Sequence, residues 1–61
     1  MPHYVIRRTT SAHYLRRLPS EELVWTDDPA AALTFEFMTI AMGFALHHLD
    51  LSIQDYEVEV R

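Results

Sequence analysis

The stretch Phe37-Met38-Thr39-Ile40-Ala41-Met42-Gly43-Phe44-Ala45-Leu46-His47-His48-Leu49 decides the fold. Nine of its thirteen residues are apolar, and no Asp, Glu, Lys or Arg interrupts it. At about 100° per residue the apolar positions sort into a broad stripe on a helix. Phe37, Ile40, Ala41, Phe44 and Ala45 form one sector. Met38, Met42, Leu46 and Leu49 continue it, so that about 240° of the wheel is apolar. Thr39, Gly43, His47 and Asp50 make the polar strip. A helix lying on one sheet needs a stripe little wider than ~100°. The sector of Phe37, Ile40, Ala41 and Phe44 is therefore read as core. The sector of Met38, Met42, Leu46 and Leu49 is surplus to it. Two uses of the surplus are open: Trp25, Leu33, Phe35 and Leu51 wrap that flank, or it meets a second copy or another protein. Methionine, adaptable in shape, suits such a contact.

Outward from this helix, the remaining chain reads as strands. Tyr4 to Arg8 is β-forming, with Tyr4 and Ile6 on one face and Val5 on the other. Thr9-Thr10-Ser11-Ala12 is a polar turn, and His13 to Leu18 returns. A turn centred on Thr10-Ser11 sets Arg8 opposite His13, Ile6 opposite Leu15 and Tyr4 opposite Arg17. Pro19-Ser20-Glu21-Glu22 breaks the second strand, and Leu23 to Thr26 forms a short third one. Asp28 is placed to cap a helical turn that starts at Pro29, where no amide donor is needed. A break is expected around Thr34 to Glu36; one continuous helix from Pro29 is the alternative. Asp50-Leu51-Ser52 turns the chain. Ile53 to Val60 is the clearest strand, with Tyr56, Val58 and Val60 alternating with Asp55, Glu57 and Glu59. The order is β-β-β-α-β. The fold class expected is α+β, a single domain over residues 1–61: three N-terminal strands and a C-terminal strand in an antiparallel sheet on one main helix.

A chain of 61 residues buries only ~60% of its unfolded surface, so each apolar side chain matters. It has no cysteine, hence no disulfide and no thiolate metal site. Met1 to Arg8 has no long apolar stretch, so no secretory signal is expected. The helical run is shorter than the ~20 residues a bilayer requires, so no membrane span is expected. The net charge of −4 is divided unevenly. Arg7, Arg8, Arg16 and Arg17 stand without an acid in the first twenty residues, and nine acids face only Arg61 in the rest. All five basic residues are arginine, which favours planar, bidentate or stacked contacts.

Candidate chemistry is sparse. His47 and His48 point about 100° apart on a helix and do not converge as an i,i+4 pair does, so no metal is expected. They suit the negative end of a helix instead. Ser11, Ser20 and Ser52 lack a nucleophile motif, and one glycine forms no phosphate loop. No enzyme activity and no cofactor are expected. Arg7, Arg8, Arg16 and Arg17 with Tyr14 offer an arginine-aromatic surface of the kind that binds single strands. Cross-strand pairing with Asp55, Glu57 and Glu59 accounts for the same arginines. Glu21, Glu22, Asp27, Asp28, Asp55, Glu57 and Glu59 offer an acidic partner surface, or an ordinary solvated one. A low pI argues against a general nucleic-acid binder.

The run Tyr4-Val5-Ile6-Arg7, Tyr14-Leu15-Arg16, Val24-Trp25-Thr26-Asp27-Asp28-Pro29, Ala32-Leu33-Thr34-Phe35, Ala41 and Ala45 resembles small phage and prophage accessory proteins. The resemblance covers residues 4–45 and carries over no catalytic position. It implies a stoichiometric, non-enzymatic inhibitor that binds and blocks a bacterial defence complex, as anti-CRISPR proteins do with a CRISPR-Cas effector. It also implies the cytoplasm of a bacterial host. Two alternatives stand beside it: a small regulatory nucleic-acid-binding module that uses the arginine hairpin, and a homodimeric structural phage protein.

Overall fold

The computed structural model describes residues 2–61. β1 (Tyr4–Arg8), β2 (Tyr14–Arg17), β3 (Leu23–Thr26) and β4 (Tyr56–Val60) form one antiparallel sheet in the order β3-β2-β1-β4. Between β3 and β4 lie a 3-10 turn, Pro29–Ala31, and the main helix α1, Met38–Gly43, which runs on as a π-helical segment, Phe44–His48. This is the α+β fold in the order β-β-β-α-β.

The sequence explains each join. Asp28 Oδ1 accepts from Ala30 N at 3.0 Å, with Pro29 at the first position of the turn. From Ala32, whose backbone is extended, to Phe37 the chain holds no helix, so the break around Thr34 to Glu36 is real. The turn after β1 sets Arg8 N donating to His13 O at 2.7 Å and pairs Arg7 with Tyr14, the register expected. That register does not continue to Ile6–Leu15 and Tyr4–Arg17. The strands splay, and residues 33–35 enter between them. Leu33 N donates to Leu15 O at 2.8 Å, and Phe35 exchanges two backbone bonds with Tyr4, at 2.8 and 2.9 Å. The inserted segment satisfies edge groups that the splay would otherwise orphan.

The last strand is shorter than the alternation implied. Ile53 to Asp55 belong to a turn, closed by Asp55 N donating to Ser52 O at 2.9 Å and Ser52 Oγ donating to Asp55 Oδ2 at 2.8 Å. A short polar side chain that bonds its own turn competes with the ladder. From Tyr56 onward β4 pairs along all of β1, from Arg8–Tyr56 to Tyr4–Val60.

Alternation puts Tyr4, Ile6, Leu15, Leu23, Trp25, Tyr56 and Val58 on the helix side of the sheet. The core is Ile6, Leu15, Tyr56, Ala41 and Ala45, all buried. The helix thus meets the sheet through its two alanines, because a small side chain lets the backbones approach. Met42, Phe44 and Leu49 pack at the flanks of that contact. This corrects the expected rotation of the helix. Phe37 and Ile40 are not core: they are 58% and 55% exposed. Phe37 has extended backbone and only caps the helix. Met42 and Leu49, expected to be surplus, are partly buried against the core.

Candidate interaction surfaces

The helix carries the first surface. Its exposed large apolar residues are Phe37, Met38, Ile40 and Leu46. Of the four residues expected there, Met38 and Leu46 are exposed, whereas Met42 and Leu49 face inward. Phe37 and Ile40 take their place. The apolar patch therefore gathers at the N-terminal end of the helix. A cleft of about 390 Å³ lined by Pro2, His3, Glu36 and Phe37 adjoins it. The small pair Ala41 and Ala45, four residues apart, was the sequence signal that could have set the helix's rotation and so found Phe37 and Ile40 on the surface.

The second surface is the sheet face away from the helix, where Val5, Arg7, Tyr14, Arg16, Val24, Thr26, Glu57 and Glu59 alternate outward. Most of its charges pair with one another; Arg16 has no ion pair among the described residues. Arg7 Nη1 donates to Glu57 Oε1 at 2.5 Å, and Arg7 Nε lies 3.7 Å from Glu59 Oε2. Arg61 Nη2 lies 3.3 Å from Glu59 Oε1 and donates to the Tyr14 hydroxyl at 2.7 Å. The Tyr14 hydroxyl donates to Glu59 Oε1 at 3.3 Å. Under this layer Val5 is fully buried. The layer brings Arg7 and Tyr14 of the expected nucleic-acid surface together with Glu57 and Glu59 of the expected acidic surface.

The other members of those two sets are dispersed. Arg8 sits on the opposite face, its guanidinium carbon 5.1 Å from the centroid of Trp25. Alternation also turns Arg17 to the helix side, away from Arg16. Asp28 caps the 3-10 turn and Asp55 accepts from Ser52. Glu21, Glu22 and Asp27 are exposed at the two ends of β3. Seven acids therefore do not form one regular array.

A shallow groove of about 240 Å³ lies between Arg17, Glu21, Leu23, Phe44 and His48. His48 stacks on Phe44, with ring centroids 4.6 Å apart and planes at 20°. Widening to the π form lets Leu49 N donate to Phe44 O, five residues back, at 3.1 Å, and Leu51 N then closes the end on Ala45 O, six residues back, at 3.0 Å. Among the described residues no three His, Asp or Glu side chains are grouped as a metal ion would need. No described helix is long and apolar enough to cross a membrane.

Compared with protein-family models, curated proteins and solved structures, the chain matches none.

Proposed function

We propose that this chain is a non-enzymatic binding protein that acts by occupying a protein partner, in the manner of a phage inhibitor of a bacterial defence complex. The observation that carries the binding part is the exposure of Phe37 and Ile40, three residues apart at one end of the helix, with Met38 exposed beside them on another side of the same turn. Large apolar side chains left in water mark contact surfaces. A chain this small has few apolar groups to spare from its core. The inhibitor part rests on the resemblance of residues 4–45 to phage accessory proteins, and a CRISPR-Cas effector is the target class that resemblance favours. The site of action is then the cytoplasm of the infected cell.

The geometry lends less to the other readings. Arg7 and Arg61 pair with Glu57 and Glu59, and Tyr14 bonds to both Glu59 and Arg61, so neither the full arginine set nor a phosphate-like acidic array is free on that face, though Glu57 keeps one oxygen unpaired. A homodimer through the helix patch remains the competing occupant. The test is phage plaquing on a CRISPR-immune host that expresses the wild type or Ile40→Asp. Restored plaquing with the wild type and lost restoration with the variant support the proposal. Unchanged immunity across several system types refutes the target class, and light scattering of the pure protein decides the homodimer.

A further inference from the structure

The sheet ends on β4, and its outer edge is open among the described residues. The direction of each backbone group follows from the bonds at its two ends. His3 and Arg61 exchange backbone bonds at 3.0 and 2.7 Å, and Thr9 N donates to Asp55 O at 3.0 Å. Residues 55, 57, 59 and 61 therefore turn their N–H and C=O toward β1. Tyr56, Val58 and Val60 turn theirs outward, a row of edge donors and acceptors that is most covered at Tyr56 and most open at Val60. Natural edges are blunted by proline, a bulge or charged side chains, lysine above all. β4 has no proline, lysine or bulge: it is Tyr-Glu-Val-Glu-Val, paired without interruption to β1, and its only charges are Glu57 and Glu59, which deter a like-charged segment and not a basic one. The opposite edge, β3, is shorter and turns outward only Leu23 and Trp25 before Pro29 begins the next turn.

We propose that the β4 edge accepts an extended segment of a partner protein as a fifth strand, and that the segment carries basic residues at alternate positions. The proposal rests on reading the chain as a protein-binding module and names a second surface for it. Charge selects the occupant. Added antiparallel, the segment bonds to Tyr56, Val58 and Val60, and its residues opposite Glu57 and Glu59 fall in the close, non-hydrogen-bonded pairs. Glu57 is half exposed and only its Oε1 is engaged by Arg7. A lysine or arginine from the far side would complete an Arg–Glu–cation row. A second copy supplies it only in a shifted register, Val58 against Val60, which sets Glu57 against Arg61 but also Glu59 against Glu59. Two β4 strands paired symmetrically about Val58 set Glu57 against Glu59 of the other copy twice, and like charges directly opposite repel. On the helix side, Val60 is 61% exposed and gives the segment's alternate residues an apolar contact.

The test uses the full chain, labelled with nitrogen-15, and a short capped peptide alternating valine and lysine; its control alternates valine and glutamate. The expected result is binding of the lysine peptide, with shifts and slowed exchange at the amides of Tyr56, Val58 and Val60, and at least about tenfold weaker binding of the glutamate peptide. Val60→Pro removes an outward donor without touching the β1 ladder, so the fold is retained and lysine-peptide binding falls about tenfold. Glu57→Gln with Glu59→Gln narrows the gap between the two peptides. No binding, shifts centred on Met38 and Ile40, or equal affinity for both peptides overturns the proposal. So does a dimer of the free protein with its edge amides protected. A partner that binds wild type and Val60→Pro equally but loses Ile40→Asp overturns the strand addition alone and leaves the helix surface standing.

Discussion

Arg61 lies over the face of Tyr14, its guanidinium carbon 5.2 Å from the ring centroid, while its Nη2 donates to the Tyr14 hydroxyl at 2.7 Å. Tyr14 belongs to β2 and Arg61 follows β4, so the contact spans β1. Together with the bond from Tyr14 to Glu59 it forms a cover over Val5, which is fully buried although it faces away from the helix. A two-layer protein of this size thus shields its second sheet face with an aromatic ring and paired charges instead of a second helix. Tyr14→Phe keeps the ring and loses the hydroxyl's bonds; it should cost about 0.5–1 kcal/mol. Tyr14→Ala uncovers Val5 as well and should cost about 2 kcal/mol or more. Urea denaturation of both variants reads the difference, and equal costs would mean the ring shields nothing.

The buried hydroxyl of Tyr56 has no hydrogen-bond partner among the described residues, although the residue is only 6% exposed. A buried polar group without a partner costs about 1–3 kcal/mol. Tyr56→Phe keeps the ring that packs on Ile6, Leu15, Ala41 and Ala45 and deletes the orphan oxygen. The variant should be more stable by about 1 kcal/mol, a rise in Tm of roughly 4–8 °C for a domain of this length. A lower Tm would show that the hydroxyl is satisfied in solution.

Three turns among the described residues carry side chains at left-handed backbone angles, Ala12 at φ 56°, Glu21 at φ 71° and Asp50 at φ 56°. Asp50 follows the π-helical end in the position where Gly is most common. Aspartate visits that geometry more readily than alanine, because a short polar side chain can bond its own backbone there. Ala12→Gly should therefore stabilise the hairpin by about 0.5–1 kcal/mol, and Asp50→Gly by less. Thermal melts of the two variants give the order, and the reverse order would refute the argument from local bonding.

The hairpin, the capped turn at Pro29 and the alternation of β4 were legible because they depend on neighbours in sequence. What was not legible depends on the third dimension. The entry of Leu33 and Phe35 between β1 and β2 is set by the splay of two distant strands, and no local period encodes it. The rotation of the helix was misread for two physical reasons. A wheel weighted by hydrophobicity prefers Phe37 and Ile40, whereas close approach to a sheet prefers Ala41 and Ala45. The π-helical stretch Phe44–His48 also turns less per residue than an α-helix, so positions beyond Gly43 drift from their expected angle. Of the acidic residues, sequence order alone could not show that Glu57 and Glu59 are paired with arginine while Glu21, Glu22 and Asp27 lie at the ends of β3.

The corrected rotation makes opposite forecasts for two aspartate substitutions on one helix. Ile40 is 55% exposed, so Ile40→Asp should leave stability within about 0.5 kcal/mol of wild type while removing the partner contact. Met42 packs against the cluster of Ile6, Leu15, Ala41, Ala45 and Tyr56. Met42→Asp drives a carboxylate into that cluster, where no cation is paired with it, and should cost about 3 kcal/mol or more, enough to unfold a domain this small. Circular dichroism of both variants, with the plaquing assay on the same pair, separates the two effects. A folded Met42→Asp that loses activity alongside a fully active Ile40→Asp would return the contact surface to the Met38, Met42, Leu46 and Leu49 sector and overturn the placement argued from burial.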